Sequence, residues 1–286
     1  MPWTETCIME ERVKFIMEVR DLWPQTLIDF KKFKKNNIII KILQFLEKFL
    51  YKKAKKIVIL PPLADKYITS IGINKNKIIW IPNGVNLTKF QEIEKRRISQ
   101  YFKVIYTGAL GVSSGLKNLL LAAKITWDRG HRNIQFYLVG SGPEKQNLLK
   151  LKDKLKLNNI TFLDAIPKKD IAELLMSADA MLHIELEFGS SKYGGSPNKI
   201  FDYMATRKPI IYASNFVKDW IDKINCGIYA LPENPESIAK AIIKLYKMSS
   251  EERKKMGQRG REYVEKYHSI PVLVDKLEKV IQEVAQ

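Results

Sequence analysis

The sequence predicts an α/β protein with parallel sheets covered by helices on both faces. Three observations carry this. Beyond residue 100, short apolar runs alternate regularly with helical patterns. Those runs are apolar at nearly every position, as strands buried on both faces are. The 286 residues are 45 % hydrophobic and 10 % aromatic, enough for a core and unlike a disordered polycation.

In chain order, VKFIMEV (13–19) reads as a strand. A lysine-rich helix follows near 37–55, then KIVIL (56–60), a helix near 62–70 and KIIWIP (77–82). Pro82-Asn83-Gly84 is a turn signal, and the polar run 87–100 reads as a connector. KVIYTGAL (103–110) opens the regular part as a strand, before the helix 116–129. IQFYLVGS (134–141) precedes the helix 143–156, and ITFLD (160–164) the helix 168–178. AMLHIEL (180–186) precedes the helix 197–206, and PIIYAS (209–214) a helix near 216–224. GIYAL (227–231) and the helix 235–247 follow, and helical patterns at 250–266 and 271–284 close the chain. The expected domains are a partial α/β domain at 1–86, a connector at 87–100, a complete α/β domain at 101–266 and a terminal helix at 267–286.

Composition narrows the function. Two cysteines, Cys7 and Cys226, make no disulfide framework and suit a reducing compartment. No apolar run approaches the ~20 residues of a membrane span, and the start lacks a secretory pattern. A cytoplasmic protein, peripheral on the inner membrane face at most, is expected. The 49 basic and 31 acidic residues leave a net charge of +18. Half of it lies in residues 31–56, which hold ten lysines and one acid, Glu47. Between the lysines runs an apolar helical pattern, Ile38, Ile39, Ile42, Leu43, Phe45, Leu46, Phe49 and Leu50. It reads either as a core-facing helix with a solvated lysine face, or as a basic amphipathic surface for anionic lipid or a lipid-linked phosphate. Nucleic acid ranks last, because no nucleic-acid-binding motif accompanies the lysines.

In an open parallel sheet, ligands bind beyond the carboxyl ends of the strands. Three loops stand there. Gly108-Ala-Leu-Gly111-Val-Ser-Ser-Gly115 lets a backbone approach a phosphate, or is a plain turn. Gly140-Ser-Gly142-Pro143 does the same before another helix. In Gly194-Gly195-Ser196-Pro197-Asn198-Lys199, Ser196 reads as an N-cap and Pro197 as the first helical residue. Lys199 in the first turn opposes its own helix dipole unless an anion neutralises it. Asp202 is placed to accept from sugar hydroxyls, or to pair with Lys199 at i,i+3. His131 reads as a surface residue and His183 as a core one. No spacing of His or Cys suggests a metal site.

EVRDLWPQT (18–26), IPNGVN (81–86), YTGALG (106–111), YLVGSGPE (137–144), SADAMLHI (177–184), SPNKIFDYMATRKPII (196–211) and EKYHSIPVLVDKLEKVI (265–281), in this order, are specific. The chain resembles a family-4 retaining glycosyltransferase of the GT-B fold, in the branch that builds O-antigen, capsule and colanic-acid polysaccharides. That resemblance implies two Rossmann-like domains, here with the first incomplete, and a UDP- or GDP-linked sugar held mostly by the second. The acceptor would be lipid-linked or a saccharide, and no cofactor or obligatory metal is implied. Gly108, Gly111, Ser196, Asn198 and Lys199 would hold the diphosphate. Asp202 would contact the ribose, with Asp164, Ala165, Ile166 and Gly140 beside it and the base. Arg20 and Asp21 would face the cleft from the first domain as catalytic and acceptor contacts.

The chain departs from the family pattern in three ways. Gly194 stands where the first acid of the family's pair belongs, so Glu185 or, by preference, Glu187 would replace it. Ala109 and Ser114 replace the usual basic residues of the phosphate loop, leaving Lys117 or Lys199 to compensate. The first domain is about half the usual length. The alternative is therefore a truncated or split transferase subunit that binds nucleotide sugar but needs a complementary N-terminal partner for activity.

Overall fold

The structure is a computed structural model that describes residues 15–29, 33–91, 100–167, 169–187, 192–216 and 218–285. Cys7, Lys31, Lys32 and residues 92–99 of the expected connector lie outside them. The chain divides into two compact units, one of residues 1–82 with 273–286, the other of residues 83–272.

The first unit contains a parallel sheet of β1 (Ile16–Val19), β2 (Lys56–Ile59) and β3 (Ile78–Trp80), in that order. Around it run α1 (Gln25–Asp29), α2 (Ile38–Lys53) and α3 (Ala64–Ser70). The Asn37 side chain accepts from the Ile39 amide and starts α2. Lys77 Nζ donates to the carbonyls of Lys52 (2.7 Å) and Ala54 (2.8 Å), placing a cation at the negative end of α2. The core-facing reading of α2 fails: its buried residues are Ile40, Glu47 and Tyr51, while Ile38, Ile39, Ile42, Phe45, Leu46 and Phe49 of its apolar row are exposed and Leu43 and Leu50 only half-buried.

The second unit contains six parallel strands: β4 (Phe102–Thr107), β5 (Ile134–Val139), β6 (Ile160–Leu163), β7 (Ala180–Ile184), β8 (Ile210–Ala213) and β9 (Gly227–Tyr229). Their order, β6-β5-β4-β7-β8-β9, is that of a doubly wound sheet in which the order of strand addition reverses between β4 and β7, all strands staying parallel. Helices α4 (Leu116–Asp128), α5 (Lys145–Lys154), α6 (Ile171–Met176), α7 (Asn198–Ala205), α8 (Lys218–Ile224), α9 (Pro235–Lys247) and α10 (Ser250–Tyr267) connect the strands and follow the last. Alternate strand residues feed two cores. Val104, Tyr106, Leu182 and Ile211 join α4 and α9 on one face. Ile105, Met181, Ile210 and Tyr212 join α6, α7 and α10 on the other.

The helix starts follow from side chains. Asn234 caps α9 with Pro235 just inside it, and Ser249 with Glu252 forms a capping box on α10. Helix α11 (Ile270–Ala285) begins in the second unit, and from Leu273 onward it belongs to the first. There Leu273 and Val280 pack on Val58 and Ile81, and Lys56 pairs with Glu283 at 2.7 Å.

Candidate functional site

The reversal of strand order makes the carboxyl ends of β4 and β7 the natural ligand crevice of the second unit. The loops after β4 and β5 meet through backbone there. Gly108 (φ +143°) and Gly140 (φ +153°) adopt conformations that side chains disfavour. A Cβ on Gly140 would lie 1.9 Å from the Gly108 carbonyl oxygen. Between these loops and the one after β6 is a cavity of about 310 Å³, lined by Thr107, Gly108, Gly140, Ala165, Ile166 and Ile171 among others. Four residues chosen from sequence, Gly108, Gly140, Ala165 and Ile166, thus come together. Gly111 is different: it precedes a short 3₁₀ turn, and the space its Cβ would occupy is open.

Lys199 sits at the edge of this site. Its Nζ lies 4.6 Å from the Tyr106 ring centroid and donates to the Tyr106 hydroxyl at 3.3 Å. A Cβ on Gly108 would be 2.9 Å from that Nζ, so the cation stands directly over the glycine loop. Burial opposes its charge, but Tyr106, Tyr203 and Glu185 outweigh burial and leave its pKa above the ordinary lysine value. Lys199 is therefore a fixed cation. Tyr203 holds the frame: its buried hydroxyl accepts from the Thr107 amide at 2.9 Å, tying α7 to the end of β4.

The start of α7 differs from expectation. Pro197 takes the cap position and the helix begins at Asn198, with no side-chain cap. The Ser196 hydroxyl instead accepts from the Asn83 amide at 2.9 Å, and its carbonyl from the Asn83 side chain. The Asn83 amide, at a turn with no ladder partner, takes the nearest hydroxyl. Ser196 is thus a loop anchor, and Asn198 is exposed. Asp202 is half-buried one turn past Lys199.

The two candidate acids after β7 part company. Glu187 accepts from Asn215, which in turn accepts from the Tyr229 hydroxyl at 2.6 Å. Glu185 pairs at 3.0 Å with Nε2 of the fully buried His183. Burial disfavours its charge, yet His183 and Lys199 hold its carboxyl below the usual range. Burial depresses the His183 pKa, so the ring is neutral at pH 7. The carboxylate can only accept, so Nε2 carries the proton. Glu185, rather than Glu187, therefore shares its electrostatic surroundings with Lys199. Asp164 is exposed at the rim and held below the carboxylate range by its hydrogen bond from Lys145.

In the first unit, Arg20 and Asp21 follow β1 and are exposed. With Trp23, Leu43, Leu46 and Glu47 they help line a separate cavity of about 400 Å³. Arg20 lies 3.8 Å from Glu18. Among the described residues, no group of three or more His, Cys, Asp or Glu is placed to hold a metal ion.

Asn83, Tyr106, Tyr203 and the His183–Glu185 pair were not selected from sequence. The tyrosines carried one signal, since a buried hydroxyl needs a partner; Asn83 meets Ser196 from a distant part of the chain, and the His183–Glu185 contact depends on how the chain leaves β7.

A family model described as "Glycosyl transferases group 1" matches residues 88–263. The chain is 24 % identical over 242 residues to "Uncharacterized glycosyltransferase MJ1069" of Methanocaldococcus jannaschii, covering 82 % of this chain and 60 % of that protein. It is 22 % identical over 246 residues to "Probable glycosyltransferase WbjE" of Pseudomonas aeruginosa, covering 80 % and 59 %. The chain thus spans about three fifths of the length of these curated relatives. Similar solved structures include sucrose-phosphate synthase from Thermosynechococcus elongatus (TM-score 0.76, 17 % identity, 95 % of this chain and 68 % of that one). Another is Anabaena HepE in complex with UDP and glucose (TM-score 0.73, 14 % identity, 94 % and 71 %). A third is WaaG, a glycosyltransferase involved in lipopolysaccharide biosynthesis (TM-score 0.72, 16 % identity, 91 % and 73 %).

Proposed function

The chain belongs to the group 1 glycosyl transferases, of GT-B fold, and from that membership we propose that it moves a sugar from a UDP- or GDP-linked donor to a lipid-linked or saccharide acceptor, with retention, in cell-surface polysaccharide synthesis on the cytoplasmic side. The observation that carries this is the fixed Lys199 cation over the Gly108 loop, beside the cavity formed with Gly140, Ala165 and Ile166. A donor diphosphate there would meet Lys199 and the uncapped amides that start α7. As the bond from the anomeric carbon to the diphosphate oxygen breaks, charge grows on the leaving group. A cation held in place by Tyr106 and Glu185 stabilises that charge without having to reorganise. Lys199 thereby does the work of the basic residues absent at Ala109 and Ser114, and no metal is called for. Asp202 is assigned to the ribose and Asp164 to the rim near the base. Glu185 is preferred over Glu187 as the acid facing the donor sugar. Arg20 and Asp21 are assigned to the acceptor side.

Titration of the purified protein with UDP- and GDP-sugars, followed by thermal shift and calorimetry, tests the donor site. One nucleotide class should stabilise the protein, and Lys199→Ala should weaken that binding at least tenfold. A protein stabilised by neither class, or a Lys199→Ala variant that binds as well as the parent, would defeat the reading.

A second reading is supported by the three-stranded sheet of the first unit, in which β1 is paired only with β2 among the described residues. An open edge of that kind accepts a further strand, so a complementary N-terminal chain would complete the domain before transfer occurs. Co-expression with the product of the adjacent upstream reading frame checks this by size and activity. An active monomer without that product would end it.

A further inference from the structure

Helix α2 wears its apolar side outward. Its buried residues, Ile40, Glu47 and Tyr51, follow at spacings of seven and four and lie on one face. Ile38, Ile42, Phe45 and Phe49 follow at spacings of four, three and four, so they form one row, and it lies on the opposite face. All four are exposed, Phe45 by 74 % and Ile38 by 68 %. Ile39 and Leu46 widen the row and are exposed too. A surface helix of a soluble domain normally presents the reverse arrangement.

The exposed charges on the helix and at its two ends have one sign. Lys41, Lys48 and Lys52 run along one edge of it, Lys34 and Lys35 precede the helix, and Lys53 and Lys55 end it; all are exposed. The one acid of the helix, Glu47, is turned inward and accepts from the Tyr67 hydroxyl at 2.9 Å. Nothing on the helix neutralises its lysines.

We propose that this face of α2 is a membrane-binding surface, lying in the plane of an anionic bilayer with Ile38, Ile42, Phe45 and Phe49 in the acyl boundary and the lysines at the lipid phosphates. An apolar row with lysines along one edge complements hydrocarbon beneath a layer of phosphate. Lysine stems lie along apolar surface while their heads stay with the phosphates. A polypeptide partner fits less well, because the cores of protein interfaces are depleted in lysine. A nucleic acid would use the lysines and leave the aliphatic row in water. Among the described residues no helix is long and apolar enough to cross a membrane, so α2 lies on the bilayer rather than through it. The proposal is independent of the donor site, since its readout is vesicle binding.

Co-sedimentation of the full chain with phosphatidylcholine vesicles, with and without about a third phosphatidylglycerol, tests it. The protein should pellet with the anionic vesicles only. Phe45→Asp with Phe49→Asp should cut that binding at least tenfold at every salt concentration, with circular dichroism and nucleotide titration unchanged. Lys41→Glu with Lys48→Glu and Lys52→Glu should cut it as strongly. Absence of pelleting overturns the proposal. So does pelleting that survives the aspartates but not the glutamates, since that is charge attraction without insertion. Light scattering in lipid-free buffer supplies another overturning result: a self-associated chain that the aspartates render monomeric would make this face a protein interface. Binding to single-stranded RNA that vesicles fail to displace would make it a nucleic-acid surface.

Discussion

At residue scale, a lysine in the first turn of a helix works against the helix dipole, and Lys199 shows what compensates it. The Tyr106 hydroxyl and ring, with Glu185 nearby, hold the cation where the Gly108 loop is open. Glu47 is the opposite case, a carboxyl buried where its charge is unwelcome. Desolvation raises its pKa from 4.5 to about 7, against the opposing hydrogen bonds from Tyr67 and Tyr51. The folded chain therefore holds this proton between about pH 4.5 and 7, where the unfolded chain has lost it. The contribution of Glu47 to stability is therefore greatest below the window, falls as pH rises through it, and is lower by about 3 kcal/mol above it. Glu47→Gln should flatten that part of the stability profile and stabilise the protein at pH 8 by up to about 3 kcal/mol. Urea unfolding at pH 5 and pH 8 checks this, and equal effects at the two pH values would contradict it.

At element scale, local pattern identified nearly every strand and helix, because a short continuous apolar run or an apolar period of three to four is a local property of the chain. The short α1 was missed, since five residues with no buried side chain leave no periodic signal. Position relative to the core is a different matter. The pattern of α2 says that the helix has an apolar side and not which side the sheet takes; Ile40, Glu47 and Tyr51 took it. The cap of α7 likewise depended on Asn83, far off in sequence. The Gly140 loop yields a prediction at this scale. Gly140→Ala would drive a Cβ into the Gly108 carbonyl at 1.9 Å and impose a strained φ. It should cost roughly 2–4 kcal/mol and abolish nucleotide binding by displacing the Gly108 loop. Denaturant unfolding alongside nucleotide titration measures both, and a variant that retains full affinity would show the loop contact to be dispensable.

At the scale of the whole molecule, distant segments are joined by a few buried polar contacts. Arg261 on α10 is 8 % exposed and donates through Nη1 to the carbonyls of Ala205 (3.0 Å) and Phe90 (3.2 Å). Those carbonyls close the end of α7 and the 3₁₀ turn at Leu87–Phe90. Arg261→Met keeps the apolar stem and leaves both acceptors unpaired, so it should destabilise the second unit by roughly 2–3 kcal/mol. Hydrogen exchange resolved by segment would show the loss around residues 83–91 and 200–206. A uniform loss across the protein would argue against this local role. The Val85 amide similarly takes the His268 carbonyl at 2.9 Å, joining the two ends of the second unit.

By itself the sequence determined the α/β class, the order of elements and the loops that face the crevice, because these depend on local apolar periods, glycines and helix starts. Resemblance of ordered motifs pointed to the family. Only the tertiary structure decided that Gly108, Gly140, Ala165 and Ile166 share one cavity, that Lys199 stands over the glycine loop, and that Glu185 rather than Glu187 lies in its field. It also decided that the apolar row of α2 faces outward. The reason is physical: contacts across tens of residues depend on strand order and on which face each helix buries, and neither is encoded in the spacing of neighbours along the chain.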